Sequence, residues 1–152
     1  MSKTILYVDD EPWFVDALHE ALHNEGYSLL KAENGAKAIK LLKDSIASGI
    51  IPDLIILDVI MPEGESENSN LKGNDGGRRT GVRVYEAIRK HLNLTIPIIF
   101  VTVVDDPMME RTVKQSERSL GIDTISVLVK PVLPTELIQA VDRILNSSTK
   151  RK

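Results

Sequence analysis

The stretch Pro52-Asp53-Leu54-Ile55-Ile56-Leu57-Asp58-Val59-Ile60-Met61-Pro62 carries an unbroken apolar run into a carboxylate and then a turn. Leu54 to Leu57 is too short for a helix and is bounded by prolines, which predicts a strand buried on both faces of a parallel sheet. Asp58 then stands at the carboxyl end of that strand. Ligands of open α/β sheets bind outside the carboxyl ends of the strands, so an acid placed there marks a candidate site.

Upstream, Ile5 to Val8 predicts a first strand that runs into Asp9, Asp10 and Glu11, with Pro12 placed to open a helix. Phe14, Ala17, Leu18, Ala21 and Leu22 recur at helical spacing up to Gly26. Tyr27 to Ala32 predicts a second strand, and Asn34-Gly35 opens a second helix with Ala38, Ile39, Leu41, Leu42 and Ile46 on its apolar stripe. Downstream of Asp58 the composition from Glu63 to Thr80 turns to Glu, Ser, Asn, Gly and Arg, which predicts a long loop without a core. A helix marked by Val82, Tyr85, Ile88 and Leu92 follows. Then come a strand from Ile96 to Thr102, a polar helix from about Asp106 to Leu120, and a strand from Ile125 to Val129. A last helix begins near Leu133 or Pro134.

Five apolar strands alternating with five helices predict a doubly wound parallel sheet with helices on both faces, because each crossover is right-handed. The first and third strands then lie side by side, which brings Asp9, Asp10 and Asp58 together. With 152 residues and 42% apolar content the chain suits one domain. The reading takes 1–147 as that domain, 63–80 as a long loop inside it and 148–152 as a short basic tail. A net charge of −3 gives no electrostatic case for nucleic acid, and the absence of cysteine excludes disulfides and thiol chemistry. Neither a signal peptide nor a membrane-spanning run is evident, so a cytoplasmic protein without a membrane partner is expected.

Carboxylates crowded at one sheet edge are costly to keep ionised unless a cation sits among them. Magnesium suits oxygen ligands and binds through one or two carboxylates plus phosphate oxygens, which Asp10 and Asp58 could supply. Lys130 and Thr102, closing the fifth and fourth strands, could place an ammonium and a hydroxyl on two further oxygens of a phosphoryl group. Such transfers are catalysed mostly by positioning and charge stabilisation, with Asp58 as nucleophile.

The set Asp9-Asp10, Asp58 with Met61-Pro62, Thr102 and Lys130-Pro131 resembles the receiver domain of two-component response regulators, over nearly the whole chain. The resemblance implies the flavodoxin-like strand order 2-1-3-4-5, known for the chemotaxis regulator of that family. It implies that a sensor histidine kinase or phosphotransfer protein donates a phosphoryl group to Asp58 with Mg2+ bound. Asp10 would be the direct metal ligand, Asp9 would hold a metal-bound water, and Ile60 would contribute its backbone carbonyl. Lys130 would pair with the phosphoryl group, its bond to Pro131 would be cis, and Thr102 would be the switch hydroxyl. The chain is expected to act as a stand-alone receiver rather than a turnover enzyme. Its downstream partner, and homodimerisation through the fourth and fifth helices, stay open.

The sequence departs from that family at several points. Val127 stands where an aromatic switch residue is usual, and Val103 follows Thr102 where a small residue is usual. Ile60 and Val104 are apolar and cannot orient an attacking water, which predicts a long-lived phosphorylated form. Gly81 follows Asp58 by 23 positions where the family shows about eight, so the insert is on the order of 15 residues. Two readings compete with the switch: a degenerate receiver that binds partners without phosphorylation, and a magnesium-dependent phosphohydrolase. The hydrolase would usually carry an acid where Ile60 stands. His19-Glu20-Ala21-Leu22-His23 fits the zinc-protease helix pattern but lacks a third ligand and is read as a surface pair. Asp9, Asp10 and Glu11 acting only as a helix cap would leave Asp58 and Lys130 unexplained.

Overall fold

A computed structural model of the chain describes residues 3–60, 79–103, 106–122 and 126–150, without the side chains of 12–15 and 147–150. Its centre is a five-stranded parallel sheet of β1 (Thr4–Val8), β2 (Ser28–Ala32), β3 (Leu54–Asp58), β4 (Ile98–Thr102) and β5 (Ser126–Val129). The strands lie in the order β2-β1-β3-β4-β5, as the resemblance implied. Residues 61–78, most of the expected 63–80 loop together with Met61-Pro62, fall outside the described residues, as do Val104 and Ile125.

Alternation along the strands feeds two cores. Leu6, Val8, Ile55, Leu57 and Phe100 pack on one face against α2 (Gly35–Ser48), α3 (Thr80–Glu86) and α4 (Pro107–Ser119). Ile5, Tyr7, Leu54, Ile56, Ile99 and Val101 pack on the other against α1 (Pro12–Asn24) and α5 (Pro134–Lys150). All five residues of β3 are buried, which is why that strand reads as a continuous apolar run. Burying each such Leu or Ile side chain contributes about 1.5–3 kcal/mol, enough to lock the register that fixes the site. That register pairs Val8 with Leu57, Asp58 with Val101 and Thr102 with Val129, so the carboxyl ends of β1, β3, β4 and β5 share one edge.

The helices are closed by local chemistry. Asn34 Oδ1 accepts from the Lys37 backbone N–H at 2.8 Å to start α2, and Gly49, at φ 80°, ends it in the left-handed region where a side chain is strained. Asp106 Oδ1 accepts from the Met109 N–H at 3.0 Å to start α4.

Boundaries differ from expectation where hydrogen bonding decides. β2 begins at Ser28 rather than Tyr27, because the Tyr27 N–H still donates to Leu22 O of α1 at 3.2 Å. β4 begins at Ile98 rather than Ile96, since Pro97 has no N–H to offer a ladder. Thr80, expected in the loop, starts α3. That helix widens into a π turn at Ala87–His91, where the Leu92 N–H reaches back five residues to Ala87 O at 2.9 Å. The final helix runs to Lys150, so 148–150 of the expected tail are helical.

Candidate functional site

The ends of β1, β3, β4 and β5 each bring a polar group to the shared edge. Asp9 follows β1 and is buried, with Oδ1 accepting from the Glu11 backbone N–H at 3.0 Å. Asp58 closes β3, also buried, and its Oδ1 accepts from the Ile60 N–H at 3.3 Å. Thr102 closes β4 and is buried; its carbonyl accepts from the Lys130 N–H at 2.7 Å, which ties the end of β5 to it. The Lys130–Pro131 peptide is cis.

The Lys130 ammonium lies among three carboxylates. Its Nζ stands 2.8 Å from Glu11 Oε1, 3.1 Å from Asp9 Oδ2 and 3.4 Å from Asp58 Oδ2. Asp10 is exposed beside them. Oxygens of Asp9, Asp10, Glu11 and Asp58 come within 4.8 Å of one another. A groove of about 390 Å³ opens next to Asp9 and Asp10, lined further by Asp16, Lys31, Glu33 and Lys37.

One ammonium does not balance so much negative charge in a dry setting. Burial pushes the Asp58 carboxyl up to about 7; Asp9 adds to the rise, and Lys130 and the Ile60 N–H oppose it. Burial likewise raises Asp9 above the usual carboxylate range. Burial works against the Lys130 ammonium, yet Glu11, Asp58 and Asp9 outweigh it and hold the amine above the ordinary lysine value. Asp9 Oδ2 is buried, and its contact is the ion pair to the Lys130 ammonium at 3.1 Å. A hard cation with oxygen preference fits this donor set, since it would add a ligand contact to an oxygen held only by the ion pair to Lys130 and relieve the repulsion.

Sequence reading named Asp9, Asp10, Asp58, Thr102 and Lys130, and the fold gathers all five at this edge. Ile60, half-buried, enters through its backbone. Glu11, which the sequence offers only as part of the acidic turn with capping as a competing role, caps no backbone N–H through its side chain, which goes to Lys130 instead. Gly81 stands out in the sequence by its distance from Asp58, whereas its tight fit leaves no sequence signal. Its N–H donates to Val59 O at 2.9 Å, and a Cβ there would lie 2.3 Å from Asp58 O. Val127 is partly buried against the α2–α4 core, and Val103 is exposed. The rings of His19 and His23 stack 6.3 Å apart. His19 is half-buried rather than solvent-facing, and no third ligand joins the pair among the described residues.

Residues 5–142 match the family model of the response regulator receiver domain. The chain belongs to that family. It is 31% identical over 148 residues to the alkaline phosphatase synthesis transcriptional regulatory protein PhoP of Bacillus subtilis (strain 168), covering 97% of this chain and 50% of that protein. It is 29% identical over 146 residues to the transcriptional regulatory protein CpxR of Escherichia coli (strain K12), covering 95% of this chain and 50% of that one. The chain thus spans about half the length of these relatives. The crystal structure of a CheY-like receiver domain protein from Methanospirillum hungatei JF-1 superposes with a TM-score of 0.72 at 21% identity, covering all of both chains, which is a likeness of fold. Receiver domains are signalling domains of two-component systems, phosphorylated by histidine kinases, and generally bind Mg2+ at an acidic pocket of this kind. No helix among the described residues is long and apolar enough to cross a membrane.

Proposed function

We propose that the chain is a phosphorylation-dependent switch that accepts a phosphoryl group on Asp58 from the phosphohistidine of a sensor kinase or phosphotransfer protein. One observation carries the reading. Asp58 is a buried carboxylate at the end of β3, 3.4 Å from the Lys130 ammonium and inside a cluster of acids that a cation would neutralise. In the transfer, an Asp58 carboxylate oxygen bonds to phosphorus as the phosphorus–nitrogen bond breaks, and the imidazole leaves with that electron pair.

Lys130 neutralises charge on the phosphoryl oxygens, and the Thr102 hydroxyl donates to another, drawing the end of β4 toward the site. Asp10, Asp58 and the Ile60 carbonyl would hold Mg2+, with Asp9 holding a water on it. The ion would supply charge neutralisation to the phosphoryl oxygens. The reading treats 1–147 as one receiver domain interrupted by the 63–80 insert, working through protein contacts in the cytoplasm and not as a turnover enzyme.

Intact and peptide mass spectrometry after incubation with Mg2+ and acetyl phosphate, with and without chelator and beside Asp58→Asn, tests it. A single metal-dependent adduct of one phosphoryl group on Asp58 is the expected result. Folded protein that takes no adduct, from this donor or from phosphohistidine donors, would leave a phosphorylation-independent interaction module.

A further inference from the structure

Glu11 occupies the cap position of α1 yet caps nothing, and its carboxylate makes the shortest of the three contacts to Lys130, 2.8 Å against 3.1 and 3.4 Å. It is also the one of the three that water reaches. Its side chain is 37% exposed, whereas those of Asp9 and Asp58 are 0% and 3% exposed. A half-exposed carboxylate is rehydrated at little cost when its cation leaves; a buried one is not. The backbone N–H of Glu11 holds Asp9 independently of its side chain, so the carboxylate is spare to the local fold.

We infer that Glu11 is the resting partner of Lys130, a positioning residue that holds the ammonium off Asp58 and gives it up when a phosphoryl group arrives. The inference rests on Asp58 being the acceptor. The ammonium has three protons to donate and three carboxylates around it. A phosphoryl group adds negative charge on the Asp58 side alone. Of the three contacts, the one to Glu11 breaks most cheaply, so Glu11 sets how much of the Lys130 interaction is held back from the acceptor before transfer.

The test is the kinetics of adduct formation from acetyl phosphate at saturating Mg2+ in the full chain, wild type beside Glu11→Gln and Glu11→Asp. Both variants should keep the wild-type unfolding temperature. Glu11→Gln should raise the maximal rate about three- to fivefold, the size of a half-exposed ion pair, with little change in the half-saturating acetyl phosphate concentration. Glu11→Asp keeps the charge but is one methylene short of Lys130, and should show the same rise. A wild-type maximal rate in Glu11→Gln, or a change confined to half-saturation, overturns the inference. So does a rise in Glu11→Gln that Glu11→Asp does not share, since a mere field effect would follow the charge. These outcomes presuppose adduct on wild-type Asp58; no adduct at all defeats the acceptor reading and the inference with it.

Discussion

Two clusters of buried charge stand among the described residues, and they are built on opposite terms. Between α3 and α4, Glu117 faces Arg89 one to one: Nε and Nη2 donate to its two oxygens at 2.8 Å each, and the Tyr85 hydroxyl donates to Oε1 at 2.7 Å. Arg89 Nη1 goes to Leu94 O at 2.9 Å, and the guanidinium lies 5.6 Å from the Tyr85 ring centre. The pair is 1% and 3% exposed and its charge is closed. At the sheet edge, among the described residues, Asp9, Glu11 and Asp58 share one ammonium, that of Lys130. A closed pair serves the fold. A cluster with surplus charge among the described residues is one that a cation would complete.

The first way to break the comparison is to open the closed pair. Arg89→Met or Glu117→Leu alone leaves an uncompensated charge in the dry space between helices, and should cost about 3–5 kcal/mol. The double variant should recover much of that loss, since it leaves no buried charge. Urea unfolding of the three proteins checks it. Single variants within about 1 kcal/mol of wild type would mean that the pair is not the closed structural element described.

A smaller effect should follow from pressing on the open cluster through its backbone. Gly81→Ala puts a Cβ 2.3 Å from Asp58 O and 2.6 Å from Val59 Cα, and backbone on the β3 side cannot swing away as a side chain could. Overpacking of this kind costs about 1–3 kcal/mol. Because the strain falls on Asp58 itself, acetyl phosphate labelling should fall by more than the loss of stability explains. Normal labelling would show that the contact carries no positional information for the acceptor.

The two clusters differ just as much in how far the sequence discloses them. Asp9, Asp10, Asp58, Thr102 and Lys130 are legible because each follows an apolar run, and parallel strands bring their carboxyl ends to one edge. Glu11 is not legible, since an acid before a helix has a ready local explanation in capping and only the three-dimensional path of Lys130 removes it. The Arg89–Glu117 pair leaves a fainter trace. Met109, Val113 and Glu117 stand four residues apart and share the buried face of α4, so the acid sits on an apolar register in a helix that reads as polar throughout. On the other helix the π turn at Ala87–His91 shifts the register that would have predicted which way Arg89 faces. The layers follow from alternation and handedness and the strand order from the family resemblance, whereas the ends of β2 and β4 turn on the Tyr27 hydrogen bond and the N–H that Pro97 lacks, which composition does not register.

The finest discrimination between the clusters is their response to pH without metal. Burial, with Asp9, holds the Asp58 carboxyl at about 7, while an unfolded aspartate titrates near ~3.9. Between those values the native state keeps a proton that the unfolded chain has released. Stability from this site is therefore fully present at low pH and is lost as pH rises through about 7. Asn cannot ionise, so Asp58→Asn removes the part of the dependence that Asp58 contributes. In chelator the variant should gain on wild type as pH rises from 5 to 8, by at least ~1 kcal/mol, about 3 °C in unfolding temperature for a chain of this size. Adding Mg2+ at pH 8 should raise wild type toward the variant and leave the variant nearly unmoved, because a ligand stabilises only the state that binds it. Equal pH profiles in chelator would mean that Lys130 already balances the edge, and the contrast between an open and a closed cluster would fail at the residue on which it rests.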